Sequence, residues 1–382
     1  MTTGPGTTRR RVVVASDAFR GSLTSAEVGE ALRAGVLAVL PDADVAVVPV
    51  ADGGEGTVSA ALAAGYTAVP AVVHGPTGEP VRATMAWSST DGTVVVELAD
   101  ACGLSRLPGG VLRPLEASSR GLGEVVGAAL DLRPHRLVVG VGGSASTDGG
   151  AGMLAALGAR VLDAEGHPVP DGGAGLSRVA RADLGGLDPR LLDVDLVLAA
   201  DVTSPLLGPH GAAAVFAPQK GATPEDVARL EAALTRWADV LNPGSAAVPG
   251  SGAAGGVGFA MVAALGATRR SGVDVVLDLV GLDPRLPGAD LVITGEGSLD
   301  AQTATGKAVA GVARRAGSMG VPTVAVCGRT TLGDIELHGL GLASAYPLSE
   351  LEPDPERSMA EAAALLHEVG SRIARERLSP PG

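Results

Sequence analysis

Only two of the 29 basic residues in this chain are lysine, Lys220 and Lys307; the other 27 are arginine. Lys, Asn, Phe and Tyr are all scarce while Ala, Gly and Arg abound, the mark of a genome-wide coding bias. Under such a bias an exposed lysine drifts to arginine, because either side chain solvates a surface. A lysine that persists is a candidate for the task arginine does less well, a compact point charge on phosphate. Lys220 lies in Ala217-Pro218-Gln219-Lys220-Gly221-Ala222 and Lys307 in Thr305-Gly306-Lys307-Ala308. Both touch glycine, where backbone can approach a ligand closely. Gly306-Lys307 is not a P-loop, since Ala308 replaces the required Ser or Thr and Ala301 the first glycine.

Carboxylates gather in loops of the same texture. Asp17, the pair Asp52 and Glu55, Asp148, Asp201, and the pair Glu296 and Asp300 each follow an apolar run and stand among small residues. Any one of them could be a helix cap. Together they could hold Mg²⁺ or accept a proton. The segment Gly140-Val141-Gly142-Gly143-Ser144-Ala145-Ser146-Thr147-Asp148-Gly149-Gly150 follows an expected strand and opens an expected helix. Bare N–H groups and a positive helix end there suit an anion; a flexible Gly/Ser turn is the alternative. Acidic loops, a phosphate cradle and isolated lysines are the parts of a phosphoryl-transfer site, where catalysis is mostly positioning and charge stabilisation. The shortage of aromatics points to a small, polar, anionic acceptor rather than an apolar substrate.

These loops need strands to present them. Val12–Ala15 reads as a strand buried on both faces. Thr24 with Glu27 makes a capping box opening a helix with Val28, Leu32, Val36 and Val39 on one side. Val45–Val50 reads as the next strand. In the last third, Asp290–Thr294, Pro322–Val326 and Leu342–Tyr346 read as strands, with a loop from Gly295 to Asp300. Helices are expected at Gly306–Ala316 and Glu356–Glu376, and a fraying end at Ser379–Gly382. Short apolar strands alternating with helices predict an α/β fold with an open, doubly wound parallel sheet, whose ligands sit at the carboxyl ends of the strands. Residues 67–98 instead alternate through β-rich runs with turns at Gly75-Pro76-Thr77-Gly78 and Asp91-Gly92, predicting antiparallel hairpins. A helix at Gly121–Leu130, strands at Leu137–Val141 and Val194–Ala200, and a helix at Gly149–Leu157 follow. The middle, 63–287, is therefore expected to be an α/β domain inserted into a discontinuous first domain, 1–62 with 288–382.

Composition excludes several classes. A net charge of −13, with no basic cluster beyond Arg9, Arg10 and Arg11, argues against nucleic acid as partner. Two distant cysteines make neither a metal spacing nor a disulfide framework, and suit a reducing cytoplasm. The apolar run Val12–Ala15 is too short for a signal peptide. The uncharged stretch Asn242–Thr268 is interrupted by glycine and proline, so it reads as a loop entering a helix rather than a membrane span.

The chain resembles the bacterial glycerate kinase family, the type unrelated to ribokinase-like sugar kinases. The likeness runs over roughly residues 10–378, in Ser16–Leu23 (SDAFRGSL), Ala51–Thr57 (ADGGEGT), Val141–Met153 (VGGSASTDGGAGM), Asp201–Gly208 (DVTSPLLG), Phe216–Ala222 (FAPQKGA), Gly252–Gly258 (GAAGGVG) and Thr294–Lys307 (TGEGSLDAQTATGK). The resemblance implies two α/β domains, a flavodoxin-like one interrupted by the other, and transfer of the γ-phosphate of ATP, with Mg²⁺, to a hydroxyl of D-glycerate in the cytoplasm. It implies glycerate held by Arg20 with Asp17, Ser22, Asp52 and Glu55, and ATP held by Gly142, Gly143, Ser144 and Lys220. Asp201, Asp148 and Lys307 are implied as catalytic, and Glu296, Asp300 and Asp201 as Mg²⁺ ligands. The family usually carries Lys at the position of Arg20, often Arg at that of Ser298, and Asn at those of Thr147 and Ser204. A kinase of another small hydroxy acid and a non-catalytic glycerate or nucleotide sensor are the competing readings. A dinucleotide oxidoreductase is disfavoured, because no Gly-x-Gly-x-x-Gly opens the first strand–helix unit. The choice between 2- and 3-phosphoglycerate, and whether the protein is a homodimer, stay open at this level.

Overall fold

The computed structural model describes residues 9–301, 303 and 307–379. Gly306, where a helix start is expected, and the final residues 380–382 lie outside them. The chain divides by contact density into two compact units, one running to Asp52 and resuming at Val273, the other Gly53–Gly272. In chain order the strands are β1 Arg11–Ser16, β2 Asp44–Val47, β3 Thr67–His74, β4 Pro80–Ser88, β5 Thr93–Glu97, β6 Arg136–Gly140, β7 Arg160–Leu162, β8 Arg181–Asp183, β9 Asp195–Ala199, β10 Thr268–Arg270, β11 Leu291–Leu299, β12 Thr323–Thr330 and β13 Ala345–Pro347.

The discontinuous unit is built on β2-β1-β11-β12-β13, all parallel. Counted within the unit this is the order 2-1-3-4-5, the flavodoxin-like doubly wound arrangement, whose direction of winding reverses between its first and third strands. β1 is central and its valines are fully buried, as a strand covered on both faces requires. Thr24 caps helix Ser25–Val39 as a capping box, and Val28, Leu32 and Val36 pack from it onto one face of the sheet. Helix Ala362–Ile373 lies against it so closely that a Cβ on Gly35 would stand 2.1 Å from the His367 carbonyl oxygen. Ser371 Oγ donates to the Gly35 carbonyl at 2.9 Å, closing that contact. Helix Ala308–Ser318 covers the opposite face, with Val309 and Ala313 against Leu299, Ala325 and Cys327. The long closing helix expected from 356 to 376 is broken at Glu361, into Pro355–Ala360 and Ala362–Ile373 with a wider turn after it.

Residues 295–299, expected as loop, continue β11, and Ser298 and Leu299 pair with Arg329 and Thr330 of β12. The glycines allow it: a Cβ on Gly295 would stand 2.4 Å from the Val326 carbonyl oxygen, and one on Gly328 2.6 Å from that of Gly297. The backbones therefore approach where a side chain would wedge them apart.

The continuous unit holds a mixed sheet in the order β10-β9-β6-β5-β4-β3. β3, β4 and β5 form the antiparallel hairpins, while β5, β6, β9 and β10 run parallel. β7 and β8 make a separate two-stranded ribbon. The core gathers Val94, Val96, Leu137, Val139 and Leu198 of the sheet with Leu122, Leu154, Leu234 and Trp237 of the helices around it. No helix among the described residues is long and apolar enough to cross a membrane.

Candidate active site

At the carboxyl ends of β1 and β11, where the winding reverses, the discontinuous unit holds a cavity of about 860 Å³. Asp17, Arg20, Ser22 and Asp52 line it from the first part of the chain, and Glu296, Ser298, Lys307, Arg329 and Met359 from the last. The volume lies in the range of small-molecule sites, and the position is the one that strand order dictates. Parallel pairing fixes the register: Ser16 lies opposite Gly295, and Asp17 N donates to the Gly295 carbonyl at 2.9 Å.

Acid groups converge there. Asp17 accepts from Ala18 N at 2.7 Å, and its pKa is raised to about 7. Burial is the main cause, the neighbouring Asp52 carboxylate adds to it, and Arg20 pulls the other way. Arg20 is 77 % exposed and stands 3.9 Å from Asp52, so its guanidinium is a loosely held cation at the cavity's edge. Ser22 Oγ donates to the Met359 carbonyl at 2.7 Å, tying the loop after β1 to helix Pro355–Ala360. Lys307 Nζ lies 2.9 Å from Glu296 Oε2 and 3.8 Å from Asp300 Oδ1. The other oxygen of Glu296 accepts from Thr303 Oγ1 at 2.7 Å. Glu296 and Asp300 thus share the Lys307 ammonium.

The residues expected in the other unit are placed differently. Lys220 is 2 % exposed, and its ammonium donates to Ser144 Oγ at 2.7 Å and to the Ser146 carbonyl at 2.5 Å. Burial lowers its pKa to about 7. It braces the glycine-rich loop from within. Asp148 is fully buried; its carboxylate accepts from Ser119 N and Ser119 Oγ, both at 2.8 Å, and from Gly150 N at 3.2 Å and Gly152 N at 3.3 Å. Burial pushes its pKa up against the pull of those donors. The helix that follows, Ala151–Ala156, is only six residues long, and its first N–H groups are taken: Ala151 N by the Asp148 carbonyl, Gly152 N by the Asp148 carboxylate and Met153 N by Ser119 Oγ. The expectation of a positive helix end free for an anion is therefore not met. The loop itself is open differently: among the described residues no group accepts from the backbone N–H of Gly142, Gly143 or Ser144. Gly142 passes so near Gly54 that a Cβ would stand 2.5 Å from its Cα, and Gly143 sits at φ +69°. Asp201, after β9, accepts from Ser271 Oγ at 2.8 Å and Gly272 N at 2.9 Å, among other contacts. Glu55 is exposed in its loop and does not line the cavity.

Of the residues expected to hold substrate, Asp17, Arg20, Ser22 and Asp52 are thus brought together. Of the expected metal ligands, Glu296 and Asp300 meet at Lys307, while Asp201 belongs to the other unit. Among the described residues no three His, Cys, Asp or Glu side chains gather as a metal cage. Mg²⁺ does not require one, since it is commonly held by one or two carboxylates together with substrate phosphates. Two residues that sequence reasoning passed over stand out. Glu97 is buried at the end of β5, accepts from Gly56 N at 2.8 Å and Val58 N at 2.6 Å, and has its pKa raised to about 7 by burial. It fixes the turn Gly56–Val58 that opens the following helix; a carboxylate ending the run Thr93–Val96 was the signal for it. The other is Arg329, whose place at the cavity only the strand register reveals.

Comparison with known proteins identifies the family. The family model described as Glycerate kinase family matches residues 12–378. The chain is 44 % identical to a glycerate kinase of Bacillus subtilis (strain 168), over 83 % of this chain and 85 % of that protein. It is 41 % identical to a glycerate 2-kinase of Escherichia coli (strain K12), over 86 % and 88 %. A crystal structure of a provisionally named glycerate kinase 2 from Salmonella typhimurium LT2 superposes with a TM-score of 0.83 at 40 % identity, covering 96 % of this chain and 98 % of that one. The chain belongs to the glycerate kinase family, which places it among kinases.

Proposed function

We propose that this protein transfers the γ-phosphate of ATP to a hydroxyl of D-glycerate. The observation that carries the reading is the cavity at the β1–β11 switch point, where Asp17, with a pKa near 7, stands among Arg20, Asp52, Glu296 and Lys307. A carboxylate poised near neutral pH suits the acceptance of a hydroxyl proton from a small polar substrate. Asp17 takes that role in preference to Asp148, whose oxygens are spent on backbone and Ser119 donors. Arg20 and Ser22 orient the acceptor.

Glu296 and Asp300 would hold Mg²⁺, which when bound neutralises phosphate charge. Lys307, already between those carboxylates, is positioned to share the negative charge of the transferring group. The free N–H groups of Gly142, Gly143 and Ser144 are the proposed cradle for the ATP phosphates, with Lys220 holding the loop in shape. Asp201 is proposed to order the segment at Ser271 and Gly272. The two compact units are proposed as the two domains of the enzyme, the second inserted into the first. The relative named glycerate 2-kinase favours the 2-hydroxyl as acceptor.

Incubation with ATP, Mg²⁺ and D-glycerate followed by phosphorus NMR tests the reading. A phosphate on C2 couples to one proton and gives a doublet, whereas one on C3 couples to two and gives a triplet. The doublet is expected, a triplet reassigns the hydroxyl, and no phosphorylated product refutes the reaction.

A further inference from the structure

We infer that Arg329 is the cation that captures the carboxylate of the acceptor substrate, and so sets the enzyme's preference for hydroxy acids over uncharged polyols; this rests on the reaction proposed above. Three cationic side chains line the cavity. Lys307 is engaged by Glu296 and Asp300, and Arg20 leans toward Asp52. The Arg329 side chain has neither a hydrogen bond nor an ion pair among the described residues. Glu296 and Asp52 are spent on those two cations, so Arg329 is the cation on the lining left to meet an anion. The fourth acid group on the lining, Glu352, is held by Arg357 at 2.9 Å.

The fold explains why Arg329 stands there. Gly295 and Gly328 let the two backbones close, and the pairing of β11 with β12 continues beyond Cys327 to Arg329 and Thr330. That extension sets Arg329 directly opposite Ser298, and both line the cavity. The short Ser298 side chain leaves the guanidinium room to offer its planar fork to a carboxylate, a geometry arginine meets with two parallel hydrogen bonds.

Arg329→Ala, Arg329→Lys and the double variant Ser298→Arg/Arg329→Ala test this, with steady-state kinetics and with calorimetric titration of D-glycerate and of glycerol. Arg329→Ala is expected to raise the KM for D-glycerate on the order of 10- to 100-fold, the worth of a hydrogen bond to a charged group. The KM for ATP and the weak binding of glycerol should stay as they were. Arg329→Lys should fall between, and the double variant, which returns the charge on the neighbouring strand, should recover most of the loss. A KM for D-glycerate within twofold of the parent, or a loss falling on ATP instead, overturns the inference. If the parent binds D-glycerate but transfers no phosphate, the proposed reaction fails while the titrations still decide the role of Arg329. A parent that binds no D-glycerate overturns both.

Discussion

The cavity of the discontinuous unit and the glycine-rich loop of the continuous unit contain the same ingredients, an aspartate and a lysine among glycines, and use them in opposite ways. In the loop, Asp148 and Lys220 are buried with their hydrogen bonds spent on backbone and serine hydroxyls, so their charges hold the chain in shape. In the cavity, Asp17 is hemmed in beside a like charge, Lys307 sits between carboxylates within reach of solvent, and Arg329 is unengaged. A buried polar group satisfied by fixed donors is a brace. One held near a like charge or without a fixed partner keeps energy that a substrate can release.

The comparison is broken or sharpened most strongly at the two aspartates. Asp17→Asn is expected to lower kcat about 10²- to 10⁴-fold with little change in the KM for ATP, as removal of a general base does. In the parent, kcat/KM should rise with pH through about 7, because only the ionised carboxylate accepts a proton. The same substitution should stabilise the fold above neutral pH. Between the ordinary 3.8 and about 7 the folded form holds a proton that the unfolded chain has released, so stability falls as pH rises through that window. Asparagine does not ionise and escapes that loss, so thermal midpoints of parent and variant should converge near pH 4, separate between 4 and 7, and stay apart above 7. Asp148→Ala should do the reverse, costing about 3–5 kcal/mol in denaturant unfolding by stranding the donors of Ser119, Gly150 and Gly152. An Asp148→Ala protein that is fully stable yet inactive would make Asp148 catalytic and dissolve the contrast.

Much of this was legible in the sequence, for definite reasons. The β-branched runs and the Thr24–Glu27 capping box specify local structure without help from distant residues, and both appear as read. The set Asp17, Arg20, Ser22 and Asp52 could be grouped because parallel strands put their following loops on one edge. What a strand–loop–helix pattern leaves out is how far a loop's glycines permit pairing to continue. Residues 295–299 look like loop by composition and are strand because Gly295 and Gly328 let β11 and β12 approach. Burial was equally hidden. Lys220 carries the same letter as Lys307 between similar neighbours, and only the packing around it tells a brace from an exposed charge.

The two lysines give the smaller effects, and they separate the regions on different readouts. Lys307→Ala is expected to lower turnover about 10- to 100-fold, with Lys307→Arg retaining part of it, since charge near the transferring group counts for more than its geometry. Lys220→Met should leave the chemistry nearly intact at saturating ATP and act instead on stability. Its amine has an ordinary pKa of 10.5 lowered to about 7, so between those values the unfolded chain holds a proton that the folded form lacks. Stability of the parent therefore rises with pH across that window, and Lys220→Met should flatten the rise. Near pH 7 the variant should lose about 1 kcal/mol, because removing the desolvated ammonium offsets part of the two lost hydrogen bonds. By pH 9.5 the gap should be wider, measured by urea midpoints at the two pH values. A gap that does not change with pH, together with a large rise in the KM for ATP, would turn Lys220 from a brace into a phosphate ligand and make the two regions alike.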